Sequence, residues 1–232
     1  MADGRARPEA TPSRARDTDG HPRGNALRGL IYDTVFRPLS TRWYREVLAR
    51  MPARSHLLDV GIGTGSALLD NAAFVRQKGL TIVGVDIDAD YIERARKKVD
   101  EAALSAQIEV RLESIYDHVA ARPYDAAYFS ASFMLLPDPL RCLQHLRGQL
   151  APGGRVYFTQ TFQEKRSAFL EKAKPMLHKV TTIHFGQVTY ESDFLAVVQQ
   201  AGLRLDTFET IGRAGTRTYR LAVGHFEPVE AR

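Results

Sequence analysis

The sequence predicts an α/β fold: an open, mostly parallel sheet with helices on both faces. Three observations carry that expectation. Five short apolar runs alternate with helical stretches, which requires crossover connections between the strands. The first run ends in a glycine-rich turn, Gly61-Ile62-Gly63-Thr64-Gly65. The composition is that of an ordinary globular chain, with 232 residues, 44% hydrophobic and 25% charged, which excludes collagen, coiled coil and wholesale disorder. A core of this size buries roughly 70% of the surface its unfolded chain exposes, so neither disulfides nor a structural metal is needed. The single cysteine, Cys142, has no partner for an internal disulfide and removes every Cys-pair zinc signature, so no metal site is expected. Its expected place is buried in a helix.

Taken in order, residues 1–25 are rich in Arg, Asp, Pro, Gly, Ser and Thr and predict a disordered tail. Residues 26–52 then predict two helices. The first carries Leu27, Leu30, Ile31, Val35 and Phe36 and breaks at Pro38; the second, capped by Ser40 or Thr41, carries Trp43, Tyr44, Val47 and Leu48. Residues 56–60 form the first strand, and the apolar spacing from Ala67 to Val75 a helix. Strand 80–86 and an amphipathic helix over 89–104 repeat the unit. Strands follow at 108–112, 124–129 and 155–161, the last two separated by a helix over 138–150 that ends at Ala151-Pro152-Gly153-Gly154. A charged amphipathic insert over 163–188 and a helix over 190–201 lead to strands at 203–211 and 217–226. The turn Gly212-Arg213-Ala214-Gly215 makes these an antiparallel hairpin at the sheet edge.

The formal charge of +5 invites a nucleic-acid reading until it is located. Through Arg28 there are six Arg against four acids, a contribution of +2, which leaves +3 for the rest. Arg94, Arg96, Lys97 and Lys98 read as a solvated helix face, whereas Lys165, Arg166, Lys172, Lys174 and Lys179 suggest a cap over a substrate entrance. The N-terminal stretch lacks the apolar core of a secretory signal, and no run approaches the ~20 apolar residues of a membrane span, so a cytoplasmic protein is expected.

Ligands of an open parallel sheet bind beyond the carboxyl ends of the strands, where the diagnostic residues fall. Gly61, Gly63 and Gly65 open the first helix, and Asp59 precedes them in an Asp-x-Gly-x-Gly-x-Gly pattern. Asp86 ends the second strand, where a carboxylate accepts both hydroxyls of a ribose. A dinucleotide loop reads Gly-x-Gly-x-x-Gly; here the third glycine comes one place early. Asp59 would repel a pyrophosphate and suits a ligand with a positive group.

These residues resemble the class I S-adenosylmethionine-dependent methyltransferases. LLDVGIGTG resembles the first motif of that family, VGVDID its second, and YDAAYFSASFMLLPDPLRCLQHLRGQLAPGGRVYFTQTF its strand-four to strand-five region. The resemblance implies a Rossmann-like, seven-stranded sheet with an N-terminal helical lid and a single domain over 26–232, S-adenosylmethionine as cofactor, and a small-molecule acceptor as in the ubiquinone and metabolite branch. It places Gly61, Gly63 and Gly65 under the methionine part of the cofactor, Asp59 at its ammonium directly or through water, Asp86 on the ribose and Ile87 against adenine. Glu113 or Ser114 takes the adenine amine in place of the usual Asp, and Ser130 lies beside the reactive methyl.

The sulfonium is already activated, so an acceptor held in line needs only a weak base. Tyr32, Gln160 and His184 are the candidates for that contact. The Asn-Pro-Pro-Tyr motif of base-flipping methyltransferases is absent, and Ser130-Ala131-Ser132-Phe133 stands in its place. Two other readings remain: an RNA or protein acceptor with the basic tail as an arm, and a noncatalytic module that retains the fold.

Overall fold

The computed structural model describes residues 37–164 and 189–227. Within them the chain forms helix α1 (Arg37–Arg50), strand β1 (His56–Val60), helices α2 (Ser66–Leu69) and α3 (Ala72–Lys78), strand β2 (Thr81–Asp86), helix α4 (Ala89–Glu101), strands β3 (Ile108–Leu112) and β4 (Tyr124–Ser130), helix α5 (Pro139–Arg147), strand β5 (Leu150–Gln163), helix α6 (Glu191–Gln200) and strands β6 (Leu203–Ala214) and β7 (Arg217–Phe226). The seven strands lie in the order β3-β2-β1-β4-β5-β7-β6. All neighbours are parallel except β5 with β7 and β7 with β6. The predicted mostly parallel sheet with an antiparallel C-terminal hairpin is therefore the observed one. Strand order reverses between β1 and β4, and that switch point opens a crevice at their carboxyl ends.

Local chemistry sets the element ends. Asp88 caps α4 by accepting from the backbone N–H groups of Asp90 and Tyr91, and Ile92, Ala95 and Val99 then recur on its buried stripe. Asp138 accepts from Arg141 N–H at the start of α5, with Pro139 in the first turn, where its missing N–H costs nothing. Gly79, at φ 60, closes α3 in the left-handed conformation.

Four boundaries differ from the sequence expectation. Pro38 sits in the first turn of α1, where its missing N–H is tolerated, and Ser40 and Thr41 lie inside that helix rather than capping it. The single helix expected after the glycine loop is two, α2 and α3, since Asn71 turns its side chain back to the Ala67 carbonyl and across to the Thr41 carbonyl. Strand β5 begins at Leu150, five residues before the expected start, with a shift of register between Tyr124 and Ala126 absorbing Pro152 and Gly153, and it continues to Gln163. The hairpin loop is the two residues Gly215 and Thr216, because β6 runs on to Ala214, paired with Arg217. The expected tail at 1–25, the first helix of the lid and most of the 163–188 insert lie outside the described residues.

Alternation along the strands sends side chains to two cores. Toward α1 and α4 lie Tyr44, Val47, Leu48, Leu57, Ile82, Ile92 and Tyr128. Toward α5 and α6 lie Leu58, Val85, Phe129, Phe133, Phe158, Phe162 and Phe194. Phe158 and Phe194 meet edge to face at 5.2 Å, Phe133 and Phe158 at 4.9 Å, and Phe162 and Phe194 at 5.5 Å. Each fully buried Phe contributes roughly 1.5–3 kcal/mol from apolar burial. Cys142 belongs to this second core; it is fully buried in α5, and burial pushes its thiol up to about 12.

Candidate functional site

The glycine loop leaves β1 at the switch point and is tied to the neighbouring strand. Gly61 and Ile62 both donate their N–H to the Val85 carbonyl, at 2.8 and 3.2 Å. Gly61 has φ 77, and a Cβ on it would lie 2.7 Å from Cβ of Ser132, so both conformation and space require glycine here. Ser132 in turn donates its hydroxyl to the Val60 carbonyl. Ile62 presses into the sheet over Gly84, where a Cβ would meet its Cδ1 at 2.3 Å. Gly63 donates its N–H to Oδ2 of Asp86 at 2.9 Å, and Asp88 N–H meets Oδ1 at 3.0 Å. Both Asp86 oxygens are thus held by backbone donors, and the Ile87 N–H adds a third. Burial raises the proton affinity of this carboxyl, and these backbone donors oppose the rise.

Asp59 is a different kind of acid. It is completely buried on the α1 side of β1. Tyr44 donates its hydroxyl to Oδ2 at 2.8 Å, while Oδ1 has no partner among the described residues. Burial pushes its pKa up to about 7; the Tyr44 hydrogen bond opposes that, and the nearby Asp86 adds to it. No cation stands among these causes, so the carboxylate, when ionised, has no counterion among the described residues. Ser130, at the end of β4, likewise carries a buried hydroxyl without a partner. Ala131 follows it at φ 58, a backbone conformation rare for a residue with a Cβ, and its N–H donates to the Thr159 carbonyl at 2.8 Å.

Helix α1 closes the cleft from above. Arg37, Ser40 and Tyr44 line one wall, and Gly61, Thr64, Ser66 and Ser130 lie among the residues that complete it; the cleft is narrow, with a cavity volume of about 20 Å³. The helix is held there by Asp70, which accepts from Arg37 Nε at 2.9 Å and from the Thr41 hydroxyl at 2.7 Å. Arg37 and Thr41 pull the Asp70 carboxyl below its ordinary range.

Gly61, Gly65 and Ser130 line the cleft, Asp59 adjoins it through Tyr44, and Asp86 is tied to the same loop through Gly63. Asp59 lies beneath the cleft rather than at its surface. Ile87 stands next to Asp86 with 78% of its surface exposed. Glu113 directly follows β3 beside the same acid, since its N–H donates to the Asp86 carbonyl at 2.9 Å. Its carboxylate is turned to His118. The Ser114 hydroxyl accepts from Tyr116 N–H at 3.2 Å.

Gln160 does not join them. The strand continues three residues beyond it, and Gln160 lies between Phe158 and Phe162 on the α6 face, opposite Asp59, so it does not reach the cleft as an acceptor contact requires. Thr159 shares the Asp59 face instead and meets the Tyr128 hydroxyl at 2.8 Å. Tyr32 and His184 lie outside the described residues. Lys98 also departs from expectation: it turns from the solvated helix face to the Ser66 hydroxyl, which meets that of Thr64 at 2.8 Å.

Sequence reasoning missed Tyr44, Arg37 and Ser40 as wall residues. Tyr44 falls on the apolar stripe of its helix and reads as core; nothing local announces a hydrogen bond to an acid fifteen residues on.

A buried carboxylate without a counterion, beneath a loop of backbone N–H groups and beside a second acid, favours a ligand that carries a cation and hydroxyls. The donor set therefore fits S-adenosylmethionine, whose ammonium supplies the missing charge and whose ribose supplies two hydroxyls.

Comparison with known proteins agrees with this geometry. The family model described as "Methyltransferase domain" matches residues 34–207. The O-methyltransferase resE of Aspergillus sclerotiorum is 31% identical over 50% of this chain and 44% of its own. The demethylmenaquinone methyltransferase of Symbiobacterium thermophilum is 28% identical over 72% of this chain and 63% of its own. The chain thus matches about half the length of the first of these relatives. Among solved structures, a SAM dependent methyltransferase from Aquifex aeolicus superimposes with a TM-score of 0.65 at 17% identity, covering 85% of this chain and 96% of that one, which shows a shared fold. The chain belongs to the methyltransferase-domain family.

Proposed function

We infer that the protein catalyses S-adenosylmethionine-dependent methyl transfer to a small-molecule acceptor, with the cytoplasm as its expected compartment. The observation that carries this reading is Asp59, a fully buried carboxylate with one oxygen unpartnered and no counterion among the described residues, two residues before the glycine loop of a methyltransferase-family fold. When bound, the cofactor supplies a methyl group already activated on a sulfonium. The chain has then to bind, orient and exclude water. Asp59 attracts the ammonium, through water or through its field, because its carboxylate lies beneath the cleft. Asp86, oriented by its backbone donors, accepts the ribose hydroxyls. Ile87 offers its exposed face to the adenine ring, and Glu113 or Ser114 meets the amine at its edge. Gly61, Gly63 and Gly65 keep the backbone low enough for the methionine part, and the Ser130 hydroxyl lies beside it.

Helix α1 belongs to the helical lid over 26–52, and the clamp of Arg37 and Thr41 on Asp70 holds it against the loop. The single domain of residues 26–232, the tail at 1–25 and the cap over 163–188 are part of the same reading. Tyr32 and His184 are carried with it as acceptor contacts, and Gln160 gives up that role to the Thr159 side of β5. The names of the relatives support a small-molecule acceptor.

Calorimetry with S-adenosylmethionine and S-adenosylhomocysteine tests the cofactor. We expect saturable binding that Asp86→Ala weakens at least roughly tenfold, as loss of hydrogen bonds to a charged group implies. Absence of heat and of any thermal shift in the wild type overturns the reading. Transfer of a labelled methyl group into an extract, followed by identification of the product, names the acceptor.

A further inference from the structure

The segment between β3 and β4 contains a chain of side chains that the proposed methyl transfer does not use. His118 is fully buried, with Nδ1 at 3.1 Å from Oε2 of Glu113 and Nε2 at 2.9 Å from the Tyr124 hydroxyl. One tight turn brings His118 back beneath Glu113, because the Ser114 carbonyl accepts from the N–H groups of both Asp117 and His118 at 3.0 Å. Its own carbonyl is fixed from the other side by His145 Nε2 at 2.7 Å and Gln149 Nε2 at 3.2 Å. Tyr124 is buried and stacked on the His56 ring at 4.4 Å, so its hydroxyl has little freedom.

Proton bookkeeping orients the whole chain. A carboxylate oxygen accepts, so Nδ1 of His118 donates to Glu113 and Nε2 is left to the Tyr124 hydroxyl. The carboxylate therefore sets the tautomer, the far hydroxyl anchors the ring, and the ring fixes one oxygen of Glu113. The other oxygen belongs to a side chain that is 27% exposed, beside the acid at the end of β2 and the exposed Ile87. A carboxylate oxygen held at that edge recognises a group that donates, and rejects one that accepts.

We propose that His118 is a positioning residue: held by Tyr124, it fixes Glu113 so that its free oxygen selects the 6-amino group of the cofactor purine. The proposal rests on the S-adenosylmethionine reading and decides between Glu113 and Ser114 in favour of Glu113. A glutamate reaching from this position would otherwise swing through several rotamers; the buried imidazole replaces that freedom with one orientation.

The test compares binding of S-adenosylhomocysteine with that of S-inosylhomocysteine, which differs by a 6-oxo group, to the full chain by calorimetry. The wild type is expected to prefer the adenosyl compound by roughly 10- to 100-fold, the range of a hydrogen bond to a charged group. In Glu113→Gln the amide oxygen faces the His118 N–H, which turns the amide NH₂ outward, so the preference should reverse toward the inosyl compound. His118→Leu frees the carboxylate and should bring the ratio to within about threefold of unity. Because removing a fully buried imidazole endangers the fold, the ratio is also read on Tyr124→Phe, which deletes only the distant hydroxyl and should lower the preference partway. A role in packing alone leaves the ratio unchanged while lowering the melting temperature. An unaltered adenosyl preference in Glu113→Gln, or in both folded His118→Leu and Tyr124→Phe, overturns the proposal. A wild type that binds neither compound overturns the cofactor reading and the proposal with it; one that binds both equally overturns the proposal alone.

Discussion

On the face of the sheet toward α5 and α6, Phe129, Phe133, Phe158, Phe162 and Phe194 pack ring against ring, with Phe194 also stacked on Phe208 at 6.0 Å. On the face toward α1, the same depth of burial holds Asp59, a hydroxyl donor from Tyr44 and an oxygen with no partner. The first arrangement is what stability alone selects. The second costs stability in the cofactor-free protein, since a buried ionised group without a counterion is expensive. The difference assigns the two faces separate tasks, and substitutions on each should therefore separate folding from binding.

The largest effect expected lies on the aromatic face. Phe194→Ala should destabilise the protein by roughly 3–5 kcal/mol, the range for truncating a buried Phe. Its affinity for S-adenosylhomocysteine, measured by calorimetry at a temperature where it remains folded, should stay within about threefold of the wild type. A large loss of affinity at retained fold breaks the separation.

Asp59 should behave in the opposite sense. Its folded pKa is raised from 3.8 to about 7, so between these values the native state holds a proton that the unfolded state has released. Stability therefore falls as pH rises through that window, by an amount on the order of 4 kcal/mol in all, and levels off above it. Asp59→Asn removes this slope. Melting curves at pH 5 and pH 8 should show the variant gaining on the wild type at pH 8, while calorimetry shows it losing cofactor affinity. A variant no more stable than the wild type at pH 8 removes the argument that the carboxylate is strained.

Tyr44→Phe is the smallest change and sharpens the same point. The hydroxyl is the one group that opposes the raised pKa of Asp59, so its loss should move that pKa further upward. We expect about 1 kcal/mol of destabilisation at pH 8 and less at pH 5, where the acid is protonated in both proteins. Equal losses at the two pH values mean that the hydroxyl serves the protonated and the ionised acid alike, and no loss at either means that Tyr44 acts only by packing against Tyr128, whose ring lies at 5.0 Å.

Much of this was legible in the sequence, for physical reasons. Strand ends are marked by where an apolar run stops, so Asp59 and Asp86 could be placed at the switch point from position alone. Side-chain parity was harder. Strand β5 is buried on both sides, and phenylalanines at 158 and 162 with threonines at 159 and 161 do not disclose which side holds the crevice; the face of Gln160 was therefore open until the strands were paired. Tyr44 was invisible as a site residue because its partner is distant in sequence. The relay from Glu113 to Tyr124 was hidden in a stretch with neither helical nor strand periodicity, where only the folded turn brings His118 back under the acid.

One feature reaches beyond this molecule. Ile62 occupies the space that a side chain at position 84 would fill, so part of the information specifying the loop is stored one strand away from it. The loop is consequently not a portable module. An engineer who grafts residues 59–65 onto another parallel sheet must transplant the notch at position 84 as well, or the graft will be pushed off its seat before any ligand arrives.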